Sequence, residues 1–149
     1  SMNNQIIFDH DKTDNGNVSF DVIKAAAIEF LRKLDGLSNA VDIAKISQST
    51  LPEIQKKMIT NGYNARRSGD IYYILNPNWF NGSSTGTTHG NWNPYDSHIP
   101  LVFMGWGIKP GATNKTHYMT DISATLAALL HIQMPNGCVG EPITEITNK

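Results

Sequence analysis

The chain has a single cysteine, Cys138, in 149 residues. One cysteine excludes an internal disulfide framework and a cysteine-based zinc site. No excess of either charge is present: twelve Lys and Arg stand against thirteen Asp and Glu, a formal net charge of −1. A protein that grips a phosphate backbone needs a basic footprint, so no nucleic-acid partner is expected. Apolar runs stay well short of the roughly 18 residues that cross a bilayer, so no membrane partner is expected either. No signal peptide opens the chain, and Ser1-Met2 reads as a cloning scar ahead of an internal start. What is there is 40% hydrophobic, 9% aromatic and 17% charged. That is enough apolar surface for a core rather than disorder, at a length typical of one domain.

Periodicity places the elements. Asn4–Asp9 is a short apolar run and a strand candidate, and Asp11–Asn17, with its Asn-Gly pairing, reads as a turn. Ser19 stands where an N-cap belongs, followed at helical spacing by Phe20, Ile23, Ala27, Phe30, Leu31 and Leu34, with Gly36 as the stop. Ala40–Ile46 alternates apolar and polar residues like a short strand. Thr50-Leu-Pro-Glu53 has the pattern of a capping box, opening a helix that ends near Gly62. Asp70–Asn76 is rich in β-formers, and His98–Trp106 is almost continuously apolar, as strands buried on both faces are. Thr120 can cap a third helix, with Ile122, Leu126, Leu129 and Leu130 on one face. Strands alternating with helices predict α/β layers around a sheet.

Pro77–Ser97 carries no period, and structureless connections beyond about 15 residues are usually functional or disordered. This one holds Trp79, Phe80, Trp92 and Tyr95, which seek burial, around Thr87-Thr88-His89-Gly90. Its glycines do not match GxGxxG, no Gly-Lys-Ser/Thr follows, and no GxSxG elbow is present. Metal chemistry remains: His89, Asp96 and His98 are ligand types for zinc, which takes imidazole and carboxylate donors. Their spacing fits no common short metal motif. On these residues alone structural roles are the better reading: a surface or hydrogen-bonded ring for His89, packing for His98, hydrogen bonds to loop amides for Asp96. The adjacent Asp9-His10 precedes a charged turn and reads as structural.

Gly86-Thr-Thr-His-Gly90, Asn93-Pro-Tyr-Asp-Ser-His-Ile-Pro-Leu101 and Gly105-Trp-Gly-Ile-Lys-Pro-Gly111 together resemble the C-terminal part of bacterial alkaline phosphatases. The similar branch is grouped with type I phosphodiesterases and nucleotide pyrophosphatases and has a threonine nucleophile. Asn61–Asp70, Thr120–Leu130 and Gln133–Cys138 share the resemblance, which loosens before Asn61. It implies the C-terminal part of an α/β/α sandwich, a mixed sheet with about three helices, and residues 1–149 as one unit cut from a larger phosphatase domain.

It also implies a mechanism. Two zinc ions bridge a phosphate ester, a threonine alkoxide attacks phosphorus, and water then hydrolyses the phospho-enzyme. The family's late histidine ligand, in its Thr-His-Gly context, corresponds to His89. The nucleophile, the other ligands and the phosphate-contacting basic residues have no counterpart here. The fragment is therefore expected to be inactive alone, to hold zinc weakly, and to self-associate through faces left bare. Its parent is expected in the periplasm or outside the cell, acting on a phosphate-ester small molecule. A sulfatase or phosphonate hydrolase shares the fold and stays open, as does a non-catalytic module descended from the phosphatase.

Overall fold

A computed structural model describes residues 4–13, 16–80, 82, 85, 89–90, 92–105 and 107–148. Gly86, Thr87 and Thr88 of the histidine motif, Trp106 and Ser1-Met2 lie outside the described residues. The chain falls into two compact units, Ser1–Ile99 and Pro100–Lys149.

The first unit is a small α/β layer. Its elements in order are β1 (Gln5–Ile6), α1 (His10–Thr13), α2 (Phe20–Leu31), β2 (Leu37–Asp42), a 3-10 helix (Ile43–Gln48), α3 (Glu53–Asn61), β3 (Ile71–Leu75) and α4 (Pro94–Ser97). The three strands lie in the order β1-β3-β2, and both pairings are antiparallel. Ile71 of the central strand faces Ile6 on one side and Asp42 on the other.

Strand alternation divides the core into two faces. On one side Ala40, Ile71 and Tyr73 are buried, with Ala27, Ile28 and Leu31 of α2 and Ile6 and Phe8 packed against them. On the other, Val41 and Ile74 join Ile43, Leu51 and Ile59, with Tyr72 and Trp92 at the margin. Residues adjacent in sequence thus serve opposite layers, which is why β3 carries no charged residue.

The 12-residue α2 begins where the sequence indicates, but Ser19 supplies only its backbone to the cap, accepting from Val22 and Ile23. Lys24 of this helix is buried; its ammonium sits 2.9 Å from an Asp42 oxygen and 5.1 Å from the Phe20 ring centroid. A charge that deep requires such a partner.

Four expectations need correction. The strand expected over Ala40–Ile46 is β2, three residues earlier: the Asp42 carboxylate accepts from Ala44 N at 2.9 Å and turns the chain into the 3-10 helix. The turn expected over Asp11–Asn17 includes part of the short α1, whose Thr13 hydroxyl and amide both donate to Asp9 O. The Thr50 capping box does not form; Pro52 is the N-cap of α3, its carbonyl taking the amides of Gln55 and Lys56. Finally, His98–Trp106 is not a strand in its described residues. Its amides find no strand among those residues to pair with, and Val102 and Met104 stand 81% and 94% exposed.

The second unit is built on α5 (Asp121–Leu130) and the short α6 (Thr144–Thr147). The face of α5 that its own unit buries is Asp121, Ala124, Thr125 and Ala127. The expected apolar face differs: Leu126 and Leu130 are exposed. The reason is a polar clasp. The Thr125 hydroxyl donates to Asp121 O at 2.7 Å and accepts from Ile143 N at 3.0 Å, drawing the 140–143 segment across the small residues. Gly140 lies so close to the helix start that a Cβ there would overlap the Thr120 carbonyl.

Asp121 is the other half of the clasp. Its carboxylate accepts from Tyr118 N at 2.9 Å and Glu141 N at 3.1 Å. Burial by itself would raise this carboxyl; the two amides, then His117 and the Thr120 hydroxyl, outweigh burial and hold it below its ordinary value. The unfolded chain therefore takes up this proton first as pH falls. The stabilisation is complete above the unfolded carboxyl value, about 3.9, and is lost as pH drops through the folded one. Asp121→Asn is expected to cost about 2 kcal/mol at neutral pH and to flatten the stability difference between pH 7 and pH 3, read by urea denaturation.

Candidate functional site

The site develops from the aromatic loop after β3. Trp92 leaves the loop and packs on Tyr72, ring centroids 5.4 Å apart, against the Val41–Ile74 layer. Burial raises the Tyr72 hydroxyl above its ordinary value, with Tyr73 adding to the effect. The Tyr95 hydroxyl accepts from Asn78 N at 2.8 Å, stitching α4 to the end of β3. Within α4, Pro94 opens the helix, as its fixed φ favours, and the Ser97 hydroxyl donates to Asn93 O at 3.0 Å and Trp92 O at 3.3 Å. The chain between Trp92 and Ser97 is thereby fixed from both ends.

That support carries Asp96, whose side chain is 10% exposed. One carboxylate oxygen lies 2.8 Å from His89 Nδ1; the other accepts from Gly90 N at 3.1 Å. Gly90 has φ +136°, a backbone region open to glycine, and this brings its amide round to the carboxylate. The His89 side chain is 90% exposed. An outward imidazole held at Nδ1 by a half-buried carboxylate is the arrangement usual for metal-ligating histidines.

Of the ligand types singled out in the sequence, the structure joins His89 and Asp96. His98 is exposed and ends α4, its amide donating to Pro94 O. Among the described residues, no three His, Cys, Asp or Glu converge to hold a metal ion. The donor set fits one corner of a zinc site, not a whole one. Asp96 bonds a loop amide, as turn aspartates do, and its grip on His89 is the feature that sequence spacing misses. Asp9-His10 is structural: Asp9 pairs with Lys12 at 2.9 Å, and His10 Nε2 lies 3.2 Å from Asp70 with its ring against Phe20.

No family model matches the chain. Curated relatives and solved structures do. It is 52% identical over 97% of its length to alkaline phosphatase PhoV of Synechococcus elongatus, and 42% identical over its full length to alkaline phosphatase PafA of Elizabethkingia meningoseptica. The crystal structure of wild-type PafA superposes on 99% of the chain with a TM-score of 0.93. Along its length the chain matches part of these alkaline phosphatases. It spans 26% of PhoV and 28% of PafA, so about a quarter of these relatives' length. A third relative, 48% identical over 96% of the chain and likewise covered to 26%, is named a calcium-transporting ATPase, from Myroides odoratus. The mixed α/β fold is that of the PafA structure over the matched part, and the three helices expected are the long ones, α2, α3 and α5. No described helix is long and apolar enough to cross a membrane.

Proposed function

We propose that this chain is the C-terminal part of a zinc-dependent phosphate-ester hydrolase and contributes His89 as one metal ligand. The observation that supports this is the outward His89 imidazole held by Asp96, in a chain similar along its length to alkaline phosphatases. Zinc, when bound, would polarise the phosphoryl oxygens and stabilise charge on the attacking and leaving oxygens. The part of this chain in that chemistry is to fix one ligand: Trp92 anchors the loop, α4 holds Asp96, and Asp96 holds the ring. The nucleophile and remaining ligands belong to the other three-quarters of such an enzyme. The name of the third relative, a calcium-transporting ATPase, supports including phosphoanhydrides beside monoesters and diesters among the proposed substrates, all of which react at phosphorus.

A single imidazole does not bind zinc tightly, and the family's threonine nucleophile has no counterpart here, so the 149 residues alone are expected to be inactive and to retain less than one zinc per chain after dialysis. Hydrolysis of p-nitrophenyl phosphate with added zinc tests this. Turnover that depends on zinc and disappears in His89→Ala would overturn the inactivity.

The bare apolar residues fit the same reading. Val102, Met104, Leu126 and Leu130 are surfaces that the remainder of a phosphatase domain would cover. The isolated chain is expected to self-associate in sedimentation velocity runs, and Val102→Asp with Met104→Asp to shift it toward monomer. A clean, high-melting monomer would mark an autonomous module instead. The parent is proposed to act in the periplasm or outside the cell.

A further inference from the structure

Four asparagines are followed by glycine: Asn15, Asn61, Asn81 and Asn136. Glycine has no Cβ, so its backbone nitrogen can approach the side-chain carbonyl carbon of the asparagine before it. That approach starts spontaneous deamidation. Asn15 and Asn81 lie outside the described residues, which leaves Asn61-Gly62 and Asn136-Gly137 to compare. The sequence treats these two pairs alike; their surroundings differ. We propose that Asn136-Gly137 is a deamidation site of the folded chain and that the fold protects Asn61-Gly62.

Asn61 is the last residue of α3, and Gly62 N donates to Met58 O at 3.1 Å. A Cβ at Gly62 would stand 3.5 Å from Met58 O and 3.8 Å from Ile59 O, so helix carbonyls close in on this glycine. Attack by its nitrogen requires the helix end to open first. Asn136 and Gly137 are both exposed, in the middle of a turn closed by Cys138 N donating to Pro135 O at 3.1 Å. That bond joins the first and fourth residues and leaves the Gly137 amide outside it. Among the described residues Gly137 N has no acceptor, and a Cβ at Gly137 would meet nothing within 4 Å. Its φ of +75° suits glycine, so the turn itself favours the residue that permits the reaction.

The chemistry needs only water. The Gly137 nitrogen gives its proton to hydroxide and bonds to Asn136 Cγ. The Cγ–Nδ2 bond breaks, and the departing nitrogen takes a proton from water and leaves as ammonia. Water then opens the five-membered imide at either carbonyl. One opening gives aspartate; the other gives isoaspartate, whose main chain runs through the β-carbon. Each product adds one negative charge to the formal −1 of the chain.

The 149-residue chain is incubated at neutral pH, native and in denaturing urea, then digested with pepsin in acid, where conversion stops. The Asn61 and Asn136 peptides are followed by mass and retention, and circular dichroism confirms that the native sample stays folded. In urea the two pairs are expected to convert at comparable rates. In the native chain Asn136 is expected to keep nearly its urea rate, and Asn61 to fall at least about five-fold behind, the factor that one net hydrogen bond supplies. Asn136→Gln, whose ring closure would need six members, is expected to remove the product from that peptide and leave Asn61 unchanged. Equal native rates at the two pairs, or an Asn136 slower than Asn61, would overturn the assignment.

Discussion

Ile71→Ala should lower the stability of the first unit by about 3 kcal/mol. Ile71 is fully buried on the central strand, between Ile6 and Asp42 in register. Its neighbours are the Ala40–Tyr73 layer and the apolar side of α2. Truncation removes three carbons from a site walled by backbone on both sides, where collapse is hard, so transfer and cavity terms add. For a unit of this size, each kcal/mol moves the melting temperature by about 4–8 °C, so a fall of roughly 15 °C is expected in calorimetry. Ile71→Val should cost about 1 kcal/mol. A loss below 1 kcal/mol for the alanine variant would mean that the sheet core is not where the stability of this unit lies.

The parts of this core that the sequence reveals are those with a strong period. Ile71–Leu75 and the Phe20–Leu31 helix follow from β-rich composition and from spacing of Phe20, Ile23, Ala27 and Leu31. Boundaries set by one side chain are not visible that way: Asp42 ends β2 by capping the next turn, and no periodicity records that bond. An apolar run shows only that burial suits it. His98–Trp106 reads as an inner strand, yet its described residues join no sheet. The α5 helix misleads for a related reason. Its leucines dominate the hydrophobic pattern, while its own unit selects the small residues that let the Gly140 backbone approach.

The site divides in the same manner. His89 is legible because the motif around it resembles a family, whereas ligand-type spacing alone leaves it no better than a surface histidine. The hold of Asp96 on His89 is a tertiary fact, since it depends on α4 being pinned by Trp92 and Tyr95.

The second large effect concerns His89 itself. A catalytic zinc rests on about three protein ligands, so removing one should both lower occupancy and disturb the ion that acts on the phosphoryl group. The effect can be seen only where the other ligands are present. The decisive measurement is therefore made on a chimera in which these 149 residues replace the matching 28% of PafA. Hydrolysis of p-nitrophenyl phosphate and zinc per chain are measured together for the chimera and its His89→Ala variant. The expected result is an active, zinc-loaded chimera whose variant loses zinc and at least about 100-fold in kcat/KM. A folded His89→Ala chimera that keeps its zinc and stays within about three-fold of the parent chimera's activity would contradict the assignment of His89 as a metal ligand.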